Sequence, residues 1–499
     1  MKNRKIPCSN SLFANALLSF VKTACNVLFP IITFSYASRI LGVEGIGRVN
    51  FTKSFTMYFT MIAMLGMNYY GTREAAKIRE RKNDLCKFVY EMLVINAIST
   101  TCAYFLLFFA MVFVHELHSY IPLLLINSIS ILFAGMGLEW LYQALEEYRY
   151  IAIRSVVIQI VALLLMVIFV KDKEDVAVYA VICVIASYGS YLFNFIHSRK
   201  FINLGPRPQI IEIKKHIRPI LLLFSMTLSI ELYTVLDSTM LGLIKDDNAV
   251  GLYSSAIKIN KIVNTLITSI GVVLLPRLSY YIGLKELKKL EEVSILVYQL
   301  IFMLSTPAAL GLYVLSDEII LLFSGVAFQE AVVTMKILIP IVIVIPFSVI
   351  TNLQLFVPMK KEKLIIKSTC AGAITNFIFN CLLIPLFSEN GAAIATVLAE
   401  TVVSIICLIN LKKFFDLKKI FYEYYQFWCA VIPIYIIGYL FKVVISNYII
   451  RIIGVMFVST IVYFGLLWIM KNTCIINFTK MLNQKFLRNI EIRKTNNKL

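Results

Sequence analysis

Apolar runs recur along almost the whole chain, each close to the ~20 residues that a helix needs to cross ~30 Å of hydrocarbon. Lipid offers no hydrogen-bond partners, so a segment that crosses it has to pair its own backbone N–H and C=O groups. Fourteen helices are expected, at 12–40, 47–70, 86–113, 119–142, 151–170, 176–197, 217–241, 251–276, 293–315, 331–356, 364–384, 391–411, 422–442 and 448–470. Hydrophobic residues make up 59% of the chain and charged residues 15%, against about 25% charged in an average soluble domain. The expectation is an all-α polytopic membrane protein.

The basic residues orient those helices, because Lys and Arg collect in cytoplasmic loops. With the N-terminus inside, the tails and inner loops hold 36 of the 48 Lys and Arg residues, Arg73, Lys77, Arg79, Arg81, Lys82 and Lys87 in one of them. Outer loops and the helix ends beside them hold seven, among them Arg39, Arg48 and Lys245, and five lie deeper within helices: Lys22, Lys53, Lys258, Lys261 and Lys336. Both termini are therefore expected in the cytoplasm, with residues 471–499 as a basic tail. The net charge of +19 follows from topology and from attraction to anionic inner-leaflet lipid, and calls for no nucleic acid partner.

Other features carry little chemistry. Ten cysteines are scattered without a CxxC and read as small apolar fillers, so neither a disulfide framework nor a metal centre is indicated. The "HELH" stretch at 115–118 lacks the HExxH spacing and reads as a solvated loop. The pair Asp246 and Asp247 reads as a charged turn, and no cofactor is implied.

An internal repeat says more. "SRILGVEGIGRVNFTKSF" (38–55) and "STMLGLIKDDNAVGLYSSAIKI" (238–259) share Ser-x-x-Leu-Gly, a short charged turn, and a Gly that opens a polar-started helix. The second copy falls six helices after the first, so the repeats are parallel, about an axis along the membrane normal. The expected organisation is an N-lobe of helices one to six (1–205), a C-lobe of helices seven to twelve (206–415), helices thirteen and fourteen (416–470) and the tail.

Polar stripes mark the faces that avoid lipid. Asn15, Ser19, Lys22 and Asn26 line one face of helix one; Asn50, Lys53 and Thr60 fall near one stripe of helix two. Helix seven has Ser225, Ser229, Tyr233 and Asp237, and helix eight has Ser254, Lys258, Lys261, Thr265 and Thr268. If the lobes face each other through these helices, the stripes converge on a water-filled cavity. At ~1.5 Å per residue, Lys53 lies about 9 Å below Gly47 and Lys258 about 10 Å below Gly251. The lysines then either bind an anion or balance the helix acids Glu91, Glu139, Glu231, Asp237 and Glu400.

The stretch "PIITFSYASRILGVEGIGRVNFTKSFTMYFTMIAMLGMNYYGTREAAK" (30–77) resembles the N-terminal region of the Wzx-type lipid-linked oligosaccharide flippases, relatives of the MATE transporters. "GLEWLYQALEEYRYIAIRSV" (137–156) and "LDSTMLGLIKDDNAVGLYSSAIKI" (236–259) are similar to two further segments of that family. The resemblance implies the MATE-like two-lobe fold and a substrate of undecaprenyl diphosphate bearing an oligosaccharide. That lipid would be turned across the bacterial cytoplasmic membrane for O-antigen or capsule, with the polymerase of the same pathway as a candidate partner. It also implies a cationic cavity, carried here by Lys22, Lys53, Lys258 and Lys261 with Asn26, and with Arg39, Arg48 and Lys336 as outer contributors. Glu139, Glu231, Asp237 and Glu400 are the candidates for ion coupling. Two other classes stay open: an ion-coupled exporter of small molecules, and a polytopic polymerase or ligase. The first should expose acids in its cavity. The second should need catalytic residues in a substantial outer loop, and the longest here, 316–330, is largely apolar.

The charge asymmetry is tested by labelling. In a background without native cysteines, cysteines introduced beside Lys82, Arg207 and Lys361 should be protected from an impermeant thiol reagent in intact cells. Those beside Ser119 and Glu389 should react, and labelling of both sets from one side would overturn the arrangement.

Overall fold

The computed structural model describes residues 12–201, 212–284 and 286–476, and their regular structure is helical. Helix α1 (Leu12–Met64) joins the first two expected helices across a turn at Gly42, where φ is 70°. That backbone region is open to glycine and costly for residues with a Cβ. The second expected helix stops short of residue 70: Leu65 and Gly66 both take positive φ, and α2 (Met67–Ile78) restarts beyond them. The first basic cluster, expected in a loop, thus stands largely on a helix, where Glu74 takes Arg73 and Lys77 at 2.9 Å each.

After α3 (Lys82–Phe113), the HELH segment winds into a 3-10 turn, His115–Tyr120. The fourth expected helix divides at Gly137, whose ψ of 121° is extended, into α4 (Ile121–Met136) and α5 (Glu139–Ala144). Then come α6 (Tyr148–Phe169), α7 (Val176–Ser198), α8 (Lys214–Ile244) and α9 (Asp247–Gly283). Beyond α10 (Leu287–Val314), the segment expected as the longest outer loop is mostly helical, as α11 (Ser316–Ser324) and a 3-10 turn, Val326–Phe328. Its apolar residues explain this: they gain burial by packing as a helix.

The tenth expected helix is bent by 46° between α12 (Ala331–Leu338) and α13 (Ile341–Val349), and ends in a π-helical turn, Ile350–Phe356. Pro340, between the two, lacks the N–H that would continue the ladder. The eleventh and twelfth fall in α14 (Glu362–Leu411), broken at Ser388. The short α15 (Leu417–Phe421) leads to α16 (Tyr424–Val444) and α17 (Tyr448–Ile469). Among the described residues eight helices are long and apolar enough to cross a membrane, nine with the bent pair counted as one span. The chain is an all-α, multi-pass membrane protein.

Two compact units divide it, one formed by residues 1–254, 323–328 and 379–392, the other by 255–322, 329–378 and 393–499. In the first, α2, α3 and α5 close around Trp140, Tyr142 and Met92, all fully buried. Gly71 lets α2 reach the indole, since a Cβ there would stand 2.5 Å from Trp140 Cδ2. Beside this core, Glu91 is 2% exposed. It accepts from the Glu212 N–H and from His216 Nε2, each at 2.9 Å, with Lys215 at 3.7 Å and Lys87 at 4.0 Å. The other ring nitrogen of His216 is 2.6 Å from the Tyr70 hydroxyl. This polar knot ties the start of α8 to α2 and α3.

In the second unit, Tyr463 donates to the Met303 carbonyl at 2.9 Å. Tyr298 and Thr351 share a hydrogen bond of 2.7 Å, and Arg451 pairs with Glu318. An apolar cavity of about 330 Å³ lies between α10, α16 and α17, lined by Pro307, Leu312, Ile434, Val455, Tyr463 and Phe464 among others.

Removing the carboxylate of the polar knot should be costly. Glu91→Leu leaves His216 and the Glu212 N–H without their acceptor, and breaking a buried pair of this kind costs ~3–5 kcal/mol. The expected result is a large fall in the thermal midpoint of the purified protein, with Glu91→Gln, which keeps one acceptor, falling less. An unchanged midpoint for Glu91→Leu would refute the role.

Candidate functional site

The two copies of the repeat meet within the first unit. A Cβ on Gly47 would lie 1.7 Å from the Asp247 carbonyl oxygen, and one on Gly251 would lie 2.2 Å from the Val43 carbonyl oxygen. Each copy's helix-opening glycine thus rests against the backbone of the other copy, closer than any side chain would permit. Gly242 repeats the theme against the ring of Phe51, at 2.1 Å. This approach brings Asp247 to Arg48, 3.6 Å away, and to the Tyr120 hydroxyl, which donates at 2.9 Å. Burial pushes the Asp247 carboxyl above its ordinary range, against the pull of Tyr120 and Arg48. What reads in sequence as a charged turn is therefore a bonded junction. Arg39, the other outer arginine of the expected set, donates to the Ser35 carbonyl at 3.0 Å and to its hydroxyl at 2.8 Å.

In the same unit lie three adjoining cavities. The smallest, about 20 Å³, is lined by Lys53 with Thr60, Asn127, Ser130, Ser187 and Tyr188. Thr60 and Ser130 bond each other at 3.2 Å, and Asn127 donates to Thr52 at 3.1 Å, so α1 and α4 hold this wall together. Lys53 itself is exposed at the cavity. Through Ser187 this space adjoins a cavity of about 360 Å³ lined by Thr33, Glu139, Arg154, Ser155, Gln159 and Ser190. Through Met57, Thr60 and Tyr188 it adjoins a third, about 170 Å³, which includes Asn68 and Glu231. On α7, Ser187, Ser190 and Tyr191 share a face by i, i+3, i+4 spacing.

The candidate acids fall into separate settings. Glu139 meets Arg154 at 3.3 Å, both side chains largely buried. Asp237, 4% exposed, accepts from Tyr253 at 2.5 Å and from Asn380 at 2.7 Å, linking α8, α9 and α14. Glu231 lines the third cavity, and Glu400 is buried in the second unit. Lys53, Glu139 and Glu231 therefore each line one of three adjoining cavities. Lys258, half-buried, and Lys261, exposed, belong to the second unit, as does Lys336, 3.7 Å from Asp317. The side chains of Lys22 and Asn26 lie outside the described residues.

Two participants escape the sequence reading. Arg154 lies one helix past Glu139, 15 residues on, so no helical spacing connects the pair. Tyr120 reaches Asp247 across 127 residues. An arginine inside an apolar run is the signal that could have singled out Arg154.

The matching family model is that described as "Polysaccharide biosynthesis protein", over residues 12–282, more than half of the 499. The protein of Escherichia coli (strain K12) that carries the name "Putative O-antigen transporter" is 24% identical over 412 residues, which cover 80% of this chain and 96% of that one. The "Probable low-salt glycan biosynthesis flippase Agl15" of Haloferax volcanii is 27% identical over 210 residues, 42% of this chain and 44% of the relative. Among solved structures, the inward closed conformation of the lipid II flippase MurJ is similar with a TM-score of 0.73 at 15% identity, covering 93% of this chain and all of that one. That likeness gives the fold, and the family match gives the membership. With that match over more than half its length, the chain belongs to the polysaccharide biosynthesis protein family.

Proposed function

We propose that this protein is a flippase that turns undecaprenyl-diphosphate-linked oligosaccharide from the inner to the outer leaflet of a bacterial cytoplasmic membrane, for O-antigen or capsule assembly. The observation that carries the reading is Lys53, a cation on α1 that lines a cavity with Thr60, Asn127 and Ser130, beside a larger cavity lined by Ser155, Gln159 and Ser190. A diphosphate needs a cation and hydrogen-bond donors, and sugars need the hydroxyls and amides. Lysine holds phosphate as a point charge without bidentate geometry, which suits a ligand that has to leave. In this reading Lys22, Lys258 and Lys261 complete the cationic surface with Asn26, and two six-helix lobes rock about it to give alternating access. The apolar cavity of the second unit suits an isoprenoid chain better than a sugar. Translocation needs no bond made or broken in the substrate, so no catalytic residue is assigned. Both termini face the cytoplasm, and the polymerase of the pathway receives the product.

Names of relatives support the same direction, since those of the Escherichia coli and Haloferax volcanii proteins refer to transport or flipping of glycans. Collapse of export is the decisive phenotype. In proteoliposomes loaded with undecaprenyl-diphosphate oligosaccharide, the purified protein should accelerate translocation measured by a leaflet-specific probe. Lys53→Ala and Lys258→Ala should each slow it roughly 10- to 100-fold, the loss of a charged hydrogen bond of ~1.5–3 kcal/mol, with Lys→Arg variants retaining part. If Lys258 were only the partner of a buried acid, Lys258→Ala with Asp237→Asn would recover full flux and sink its phosphate-binding role. Folded protein that fails to accelerate translocation would overturn the function.

A further inference from the structure

Arg154 is an unusual residue to bury in a membrane protein. It is 7% exposed, within the apolar run that forms α6, and it pairs with Glu139 through Nη2 at 3.3 Å. Its guanidinium carbon stands 5.6 Å from the centre of the Tyr150 ring. Guanidinium has five N–H donors in a fixed fork, and among the described residues Nε and Nη1 have no acceptor. Buried donors are almost always satisfied, so two on one side chain require an explanation.

The cavity that Arg154 lines provides one. Its volume of about 360 Å³ falls in the range of small-molecule sites. Thr33, Ser155, Gln159, Ser187 and Ser190 add hydroxyl and amide groups to the Glu139–Arg154 pair. That pair is neutral as a unit. A diphosphate would be repelled by Glu139, and a small cation by a guanidinium that cannot lose its proton. What a carboxylate and a guanidinium side by side do suit is a group that both donates and accepts at neighbouring positions, as the hydroxyls of a sugar ring do. The shared wall at Ser187 sets this cavity beside the one that Lys53 lines.

We propose that the Glu139–Arg154 cavity is a recognition subsite for uncharged sugar of the lipid-linked oligosaccharide, and that it sets which glycan is carried. The proposal rests on the flippase reading above and gives Glu139 a role in glycan binding in place of ion coupling.

The test compares two lipids on the full-length protein in nanodiscs: bare undecaprenyl diphosphate, and undecaprenyl diphosphate bearing a neutral trisaccharide. The wild type should bind the glycosylated lipid more tightly. Arg154→Met with Glu139→Gln removes both charges together, so neither is stranded, and it should cut the ratio of the two affinities about tenfold, the loss of one or two hydrogen bonds to charged groups. Ser187→Ala with Ser190→Ala, which leaves the ion pair intact, should cut the ratio in the same direction and serves alone if the first variant does not fold. Lys53→Ala should weaken both lipids and keep the ratio. An unchanged ratio in both double variants overturns the subsite while leaving the flippase reading in place. So does a double variant in which only the dependence of flux on an ion gradient changes, which would return Glu139 to coupling. Folded wild-type protein that binds neither lipid overturns both readings.

Discussion

Polar groups at membrane depth have to be satisfied inside the protein, because hydrocarbon supplies no partner and an unbonded group there costs several kcal/mol. Thr52, Thr56 and Thr60 meet this requirement within α1 itself, each donating its hydroxyl to the carbonyl four residues earlier, at 2.9, 2.7 and 3.1 Å. Asn127 and Asn260 do the same on α4 and α9, at 3.0 Å each. With its donors occupied in this way, a polar stripe can stand in a membrane helix, and only then can it line a cavity. Lys53 stands beside the threonine ladder and depends on it: without a polar wall it would face lipid.

The same requirement explains the company of the acids. Glu91 gathers a histidine, a backbone N–H and two lysines; Glu139 takes Arg154; Asp237 takes a phenol and an amide. Glu91 and Asp237 join helices that are distant in sequence, and Glu139 joins two consecutive ones, so the bonds that make the charges tolerable also fix the packing. A partner removed would strand the remaining charge, which is more damaging than never having had the pair. Glu139 and Glu231 also line cavities.

Backbone contact between the two repeats adds a different kind of constraint. Gly47 lies against Asp247 and Gly251 against Val43, so the relation between the copies is reciprocal. Any Cβ would push the chains apart and take Arg48 and Tyr120 away from Asp247. Two glycines that look in sequence like ordinary helix starts are in fact the condition for a junction of charged groups.

Apolar runs with fourteen-fold recurrence were enough, by themselves, to specify an all-α membrane protein, since continuous apolar runs of ~20 residues suit a spanning helix and not the short alternating strands of a barrel. The stripe on α1 was equally legible, because 3.6-residue periodicity puts Lys53 and Thr60 near one face, and both line the same cavity. The breaks were less so: Gly66, Gly137 and the bend at Pro340 are turns whose sharpness depends on what the chain packs against. Least legible were the pairs. Asp237 and Asn380 are 143 residues apart, Tyr120 and Asp247 are 127, and Glu139 and Arg154 sit on two helices joined by a corner. Periodicity is a local property and assigns a residue to a face; which opposing face it meets depends on helix packing. The sequence therefore determined which polar side chains share a helix face, and the tertiary structure alone decided which of them bond one another and which are left to line a cavity.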